Sequence, residues 1–279
     1  MKQHSLTNPI PNDDPQSDLV KVWKVGAAPT GQQQDDLLAI EEPLQIEIDG
    51  QPWLTTMRTP GNDQELTLGL MLAEGVISSM NDIANISRCP EDEHGNLVQV
   101  ILTADCQFTA DNERQNRTVS SACGICGKTS IDTLQTQFAP ICSQAIINSQ
   151  LLAELPDRLA TNQSTFQKTG GLHAAGLFDL NGNLQVIRED VGRHNAVDKV
   201  IGYALMQQRL PLNNSILLVS GRVAFEIIHK AAAGGIAIVA AISAPTSLAV
   251  SYAQRNNQTL VGFLRGPQMN VYSGIERIK

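Results

Sequence analysis

The sequence predicts an α/β fold, a mixed sheet with helices on both faces plus a smaller α+β N-terminal region. Three observations carry that expectation. From Ser215 to Leu264 the pattern runs strand, helix, strand, helix, strand, over Ser215 to Val219, Val223 to Ala232, Ile236 to Ile242, Ser247 to Arg255 and Thr259 to Leu264. Such alternation implies parallel strands joined by helical crossovers. Two further stretches read as hairpins, Leu44 to Arg58 around Asp49-Gly50, and Leu172 to Glu189 around Asn181-Gly182-Asn183. Finally, 279 residues with 42% hydrophobic content suffice for one large or two modest cores.

The elements follow in chain order. Residues 1–37 are polar, with Pro9, Pro11, Pro15 and Pro29 and the run Gln32-Gln33-Gln34-Asp35-Asp36, and read as a flexible arm. Residues 38–120 form the α+β region. In it Leu44, Ile46 and Ile48 share one strand face, Trp53 to Arg58 returns, and a helix follows with Asn62 as N-cap. Glu65, three residues on, suggests a capping box, and Gly75 supplies the stop. Leu97 to Thr103 alternates as a strand. Residues 121–165 hold a cysteine loop and a helical connection, with Ile131 to Leu159 mostly helical and Leu151, Leu152 and Leu155 facing the core. Residues 166–279 form the α/β region, in which a helix spans Ala196 to Gln207.

Composition narrows the function classes. A formal net charge of −8 argues against broad nucleic-acid binding, so any anionic ligand must be held by a few placed residues. The N-terminus shows no apolar signal-like run, which points to the cytosol. Ala231 to Gln254 carries no charge and is long enough to span a bilayer. Gly234-Gly235, Pro245 and the β-branched run between them instead read as a buried strand followed by a packed helix, with no membrane insertion.

The densest chemistry lies in Ser120-Ser121-Ala122-Cys123-Gly124-Ile125-Cys126-Gly127-Lys128. A single C-x-x-C in a glycine-rich turn beside a lysine favours thiolate over thiol, and the thiolate is the nucleophile. Structural zinc would need a second ligand pair; Cys89, Cys106 and Cys142 stand alone and no H-x3-5-H pair exists, so no metal is expected. Those three cysteines are expected to be buried apolar thiols. A thioredoxin-type dithiol should open a helix straight after a core strand, whereas polar Asp111 to Arg117 precedes this motif.

In open α/β sheets ligands bind beyond the carboxyl ends of the strands. Those ends are Ser220-Gly221-Arg222, Ser243-Ala244-Pro245-Thr246 and Arg265-Gly266-Pro267, each with the hydroxyl, glycine or guanidinium chemistry of an anion site. The cluster from Arg188 to Lys199 has two readings, a solvated connection with surface ion pairs or a functional turn. In the second, Asp190 or Asn195 caps the helix and His194 lies at its N-terminus. His173 sits among small residues in Gly170 to Gly176. It lacks the acid/base glutamate that zinc deaminases carry two positions on, since Ala175 stands there.

Taken together, Arg58-Thr59-Pro60, Glu74-Gly75-Val76-Ile77, Cys123-Gly124-Ile125-Cys126-Gly127, Gly171 to Ala175, Arg188 to Lys199, Val219 to Arg222 and Phe263-Leu264-Arg265-Gly266 resemble the FdhD family of formate dehydrogenase accessory sulfurtransferases. The likeness covers about residue 40 to the C-terminus. It implies a cytidine deaminase-like C-terminal region and a cytosolic homodimer. It further implies a factor that takes persulfide sulfur from an L-cysteine desulfurase and passes it to molybdenum bis(molybdopterin guanine dinucleotide), as formate dehydrogenase requires. Cys123 matches the persulfide-bearing cysteine, and Cys126 is the second thiol. The stretch Phe263, Leu264, Arg265, Gly266, Pro267 and Gln268 matches the cofactor-binding segment. Ser220, Gly221, Arg222 and His194 are expected to join it, and no zinc is expected. Two other classes stay open, a molybdenum cofactor chaperone without sulfur transfer and a dithiol redox protein.

Overall fold

The computed structural model describes residues 16–26, 31–90, 92, 94–106, 108, 117–119 and 136–279. A two-stranded hairpin, β1 (Ser17–Lys24) and β2 (Gln32–Ala39), comes first. It stands where the flexible arm is expected to run to residue 37. The reason is local: Val20, Val22 and Trp23 favour extended backbone, and the strands pair along their full length from Ser17–Ala39 to Lys24–Gln32, with Lys21 bonded to Asp35 at 2.8 Å.

A five-stranded sheet follows. Strands β3 (Glu42–Ile48) and β4 (Gln51–Arg58) form the expected hairpin, and Asp49 and Gly50, with φ of 50° and 75°, make its left-handed turn. With β5 (Ile83–Arg88), β6 (Leu97–Leu102) and β7 (Arg117–Val119) the spatial order is β5-β6-β3-β4-β7. Helix α1 (Asp63–Glu74) connects β4 to β5 and ends on Gly75, whose φ of 72° is the left-handed stop expected. Its start differs. Asn62 is itself left-handed with no side-chain cap, and the Glu65 side chain, the other half of the expected box, bonds an arginine described below.

The connection over residues 136–148 forms neither helix nor strand, with a turn at 136–138, and helix α2 (Ser149–Thr161) begins only where Asn148 caps it, accepting from Gln150 and Leu151 N–H groups. The sequence overstates this helix; Pro140 and the β-branched Ile141, Ile146 and Ile147 before Asn148 disfavour helical backbone. A short α3 (Ser164–Thr169) leads into the larger sheet.

That six-stranded sheet has the order β13-β12-β11-β10-β8-β9. Strands β8 (His173–Asp179) and β9 (Leu184–Asp190) are antiparallel, while β10 (Ser215–Val219), β11 (Ile238–Ala241) and β12 (Thr259–Arg265) run parallel, and β13 (Gln268–Ser273) turns back. Helices α4 (Arg193–Met206), α5 (Phe225–Ala233) and α6 (Ser247–Arg255) make the crossovers. Every residue of β10 and β11 is buried, as central strands covered on both faces require. Period two divides them: Leu217 and Val219 join the core under α1, α4, α5 and α6, while Ile216 and Leu218 face Leu152, Leu155 and Leu159 of α2. The first core also takes Leu44, Ile46, Val98 and Val100, so the two sheets share one apolar interior. The uncharged stretch resolves as the end of α5, β11 and most of α6, and among the described residues no helix is long and apolar enough to cross a membrane.

Helices α1 and α4 cross at backbone contact. A Cβ on Gly69 would lie 2.0 Å from the Asp198 carbonyl oxygen, and one on Gly202 would lie 1.8 Å from that of Glu65. Glycine at both points is what lets the helices approach this closely.

Candidate functional site

The parallel strands β10, β11 and β12 deliver their carboxyl ends side by side, and backbone hydrogen bonds fuse the three turns into one rim. Val223 N–H donates to Ala244 O at 3.2 Å and Thr246 N–H to Val223 O at 2.9 Å. Phe263 N–H donates to Ser243 O at 3.1 Å, and Arg265 Nε to Ile242 O at 3.4 Å. Ser220 is held from the other side, its Oγ accepting the Ala174 N–H at 2.9 Å. The rim therefore brings Ser220, Gly221, Arg222, Phe263 and Arg265 together, at the place the strand order dictates.

Within the stretch from Phe263 to Gln268 the residues divide by role. Leu264 is fully buried in the second core and anchors the strand end. Phe263 is 43% exposed with φ of 53°, a left-handed conformation that a bulky side chain rarely adopts. It sits where the pairing of β12 with β13 shifts between Gly262 and Arg265. The backbone is strained, and its effect is to turn an aromatic ring outward at the rim. Gly266 makes the turn with φ of 56°, and Pro267 and Gln268 are exposed on it.

The first helical turn of α4 adds Arg193 and His194, and the start of β8 adds His173. His194 is buried, its Nε2 3.9 Å from a Glu226 carboxylate oxygen on α5. It thus faces the interior beneath the rim. His173 lies beside Gly221: a Cβ built there would be 3.4 Å from its Nδ1 and 3.5 Å from Arg193 Cδ. Burial holds the His173 imidazole below its ordinary proton affinity, Arg193 and Arg222 push the same way, and Asp190 opposes them.

Below this lies a buried charge network. The solvated-connection reading of Arg188 to Lys199 is overturned, since Asp190, Asp198 and Lys199 are all 0% exposed. Asp190 caps nothing by the usual geometry; Gly192 is the N-cap of α4. Its carboxylate instead pairs with Lys199 at 2.7 Å and accepts from Thr59 N–H at 3.2 Å, Gly192 N–H at 2.8 Å and Asn195 Nδ2 at 3.0 Å. Lys199 Nζ also donates to Thr59 O at 2.9 Å, and Asn195 Nδ2 to Met57 O at 2.8 Å. The end of β4 is thereby latched to the start of α4. A second latch is Arg188, bidentate to Glu65 at 2.5 and 2.7 Å and stacked over Tyr203. Asp190, Lys199, Arg188 and Glu65 thus each have a charged partner, as their desolvation demands.

Sequence reasoning passed over Arg58, Asp63 and Lys230 as site-supporting residues. Arg58 is 1% exposed, bonded to Asp63 through Nε at 3.0 Å and to Asn96 at 2.9 Å. Lys230 holds Asp198 at 2.7 and 2.8 Å. Arg58 stood in a segment that carried the resemblance, whereas Asp63 and Lys230 showed only as charged residues on otherwise apolar helix faces. Of the other thiols, Cys89 is buried and Cys106 partly so, but Cys142 is exposed. Cys123 and Cys126 lie outside the described residues.

This arrangement has known counterparts. The fold superposes on a crystal structure described as a formate dehydrogenase accessory protein from Desulfotalea psychrophila, with a TM-score of 0.76 and 27% identity, covering 95% of this chain and 100% of that one. A protein named sulfur carrier protein FdhD from Nocardia farcinica is 45% identical over 259 residues, 91% of this chain and 93% of that protein. One of the same name from Sulfolobus acidocaldarius is 45% identical over 88% of this chain and 92% of its own length. The class is that of the sulfur carrier proteins. The chain belongs to the FdhD/NarQ family, whose model matches residues 39–279.

Proposed function

We propose that this protein receives persulfide sulfur from an L-cysteine desulfurase on Cys123 and transfers it to molybdenum bis(molybdopterin guanine dinucleotide) for formate dehydrogenase. The observation that carries the reading is the fused rim, with an outward aromatic ring at Phe263 and guanidinium groups at Arg222 and Arg265. Aromatic faces stack on bases and guanidinium groups pair with phosphates, which suits a large dinucleotide acceptor.

The chemistry is two exchanges at one sulfur. The Cys123 thiolate attacks the outer sulfur of the desulfurase persulfide; that S–S bond breaks and the desulfurase cysteine leaves as thiolate. The resulting Cys123 persulfide then gives its outer sulfur to the acceptor, and Cys123 leaves as thiolate in turn. Cys126 either attacks Cys123 to release sulfur, leaving a disulfide to be reduced, or only relays or protects the sulfur. The protein works as a cytosolic homodimer.

Intact-protein mass after incubation with a cysteine desulfurase and L-cysteine tests the first exchange. A reducible gain of one sulfur that disappears in Cys123→Ala supports it. No gain in the wild type, with the desulfurase shown to be active, overturns it in favour of cofactor chaperoning.

A further inference from the structure

The hairpin of β1 and β2 belongs to neither larger sheet and forms one of its own. Its base is tied to the body. Ser17 is buried, Gln16 Nε2 donates to Pro60 O at 3.1 Å, Thr165 Oγ1 donates to Gln16 Oε1 at 2.8 Å, and β2 packs along α3. The far half is bare: Trp23 is 69% exposed and Val25 72%, and Leu19 and Leu38 are exposed as well. Among the described residues neither strand pairs with anything but the other. Two strands alone are marginal in water, and an open edge with large apolar side chains is a template for a further strand.

The chemistry of the two edges selects that strand. β2 is the poorer edge, because α3 packs along it and its two aspartates have no cation in the strand to meet. β1 reads Ser-Asp-Leu-Val-Lys-Val-Trp-Lys and is nearly alike in both directions about Lys21. Along an edge only alternate residues turn their N–H and C=O groups outward, so an antiparallel two-fold pairing must pass its axis through a residue rather than between two. An axis at Val20 would set Leu19 against the partner's Lys21, and one at Val22 would set Trp23 against it. An axis at Lys21 sets Asp18 opposite the partner's Lys24, Leu19 opposite the partner's Trp23 and Val20 opposite the partner's Val22. Opposite charges and apolar pairs are the cross-strand combinations that stabilise a sheet. Asp18 and Lys24 form no ion pair within the chain among the described residues, so both charges are open to the partner. Lysine ordinarily blunts an edge, but Lys21, which meets its own copy at the axis, is already held by Asp35 at 2.8 Å.

We propose that the free edge of β1 is where two copies of this chain meet, β1 pairing antiparallel with β1 of the second copy about a two-fold axis at Lys21. The product is one four-stranded sheet, in which Leu19 and Trp23 of both copies lie on a single face with Leu37 beside Leu19. This rests on the reading that the protein is a homodimer, and it assigns the surface.

Sedimentation equilibrium of the full chain over a range of concentrations tests it, with circular dichroism to follow the fold of each variant. Wild type should be a reversible dimer. Lys24→Asp sets a carboxylate against the partner's Asp18 at both ends of the pairing and should weaken the dimer by about tenfold. Trp23→Ser should weaken it to a similar degree. Asp18→Lys/Lys24→Asp exchanges the charges and should restore wild-type association. Asp18, Trp23 and Lys24 are all exposed, so the substitutions act at the surface. A wild-type dimer that Lys24→Asp and Trp23→Ser leave unchanged, or whose loss in Lys24→Asp the exchanged pair fails to restore, would overturn the β1 surface and leave the homodimer reading to another face. A wild-type monomer throughout the range would overturn both, and leave the edge to a different protein.

Discussion

Replacing Gly202 by alanine sets two physical effects against each other. Helix propensity alone favours alanine inside a helix by about 1 kcal/mol. At this crossing, however, the new Cβ would lie 1.8 Å from the Glu65 carbonyl oxygen, where ordinary contact begins near 3.4 Å. Helix α1 would have to retreat by roughly 1.5 Å, with backbone on both sides and no flexible side chain to yield. Such overpacking costs about 3 kcal/mol or more, so the net loss should be at least about 2 kcal/mol, equivalent to roughly 4–8 °C in Tm. Retreat would also stretch the Arg188–Glu65 pair, now at 2.5 and 2.7 Å. Urea denaturation of wild type, Gly202→Ala, Gly69→Ala and Gly234→Ala measures it. Gly234, with φ of −78° and its nearest neighbour at 3.5 Å, is the control and should change by under about 0.5 kcal/mol. If Gly202→Ala and Gly69→Ala are as stable as the wild type or more so, the close crossing is not a property of the folded protein.

Other expectations follow from the same geometry. Lys199→Met strands the Asp190 carboxylate, 0% exposed, and should cost about 3–5 kcal/mol, with Asp190→Asn/Lys199→Met recovering much of it; equal losses in both would contradict the pairing. Asp198, pushed up to about 6 chiefly by burial against the pull of Lys230, has a folded pKa above its unfolded value near 3.8. Its contribution is therefore full below about pH 4 and lost as the pH rises through about 6, so wild-type stability relative to Asp198→Asn should fall across that window; parallel pH profiles would exclude it. Phe263→Gly removes a left-handed penalty of about 1 kcal/mol or more, and so should keep the fold near wild-type stability by thermal melting while weakening GDP binding; a collapse in Tm with GDP affinity intact would reverse the assigned role.

Much of the fold was legible because its signals are local. The alternation from Ser215 to Leu264 gave three parallel strands and two crossovers, and Asp49-Gly50 and Gly75 marked a turn and a stop that positive φ values bear out. The misses share a cause in distant contacts. Glu65 looked like half of a capping box but is claimed by Arg188, 123 residues away. Asp190 looked like a helix cap but is claimed by Lys199 and Thr59, the latter 131 residues away. The run from Arg188 to Lys199 looks solvated by composition, and only the packing of α4 on α1 and β9 shows that its charges are interior. The hairpin at residues 17–39 was hidden because most of its side chains are exposed, so apolar patterning carried little signal. The strand-end rim was found because topology alone predicts it; the strain at Phe263 and the uncommitted Arg193 were not, since neither leaves a mark in one dimension.

The central claim is that sulfur taken up on Cys123 is handed to an acceptor held at the rim. Protein loaded with radiolabelled sulfur from a desulfurase, freed of that enzyme and mixed with the molybdenum dinucleotide cofactor, tests it directly. The account predicts that label moves into the cofactor fraction from wild-type protein and that Arg222→Gln protein loads normally but transfers poorly. Label that loads on Cys123 and stays there in the presence of cofactor, or that transfers equally well from Arg222→Gln, would contradict it.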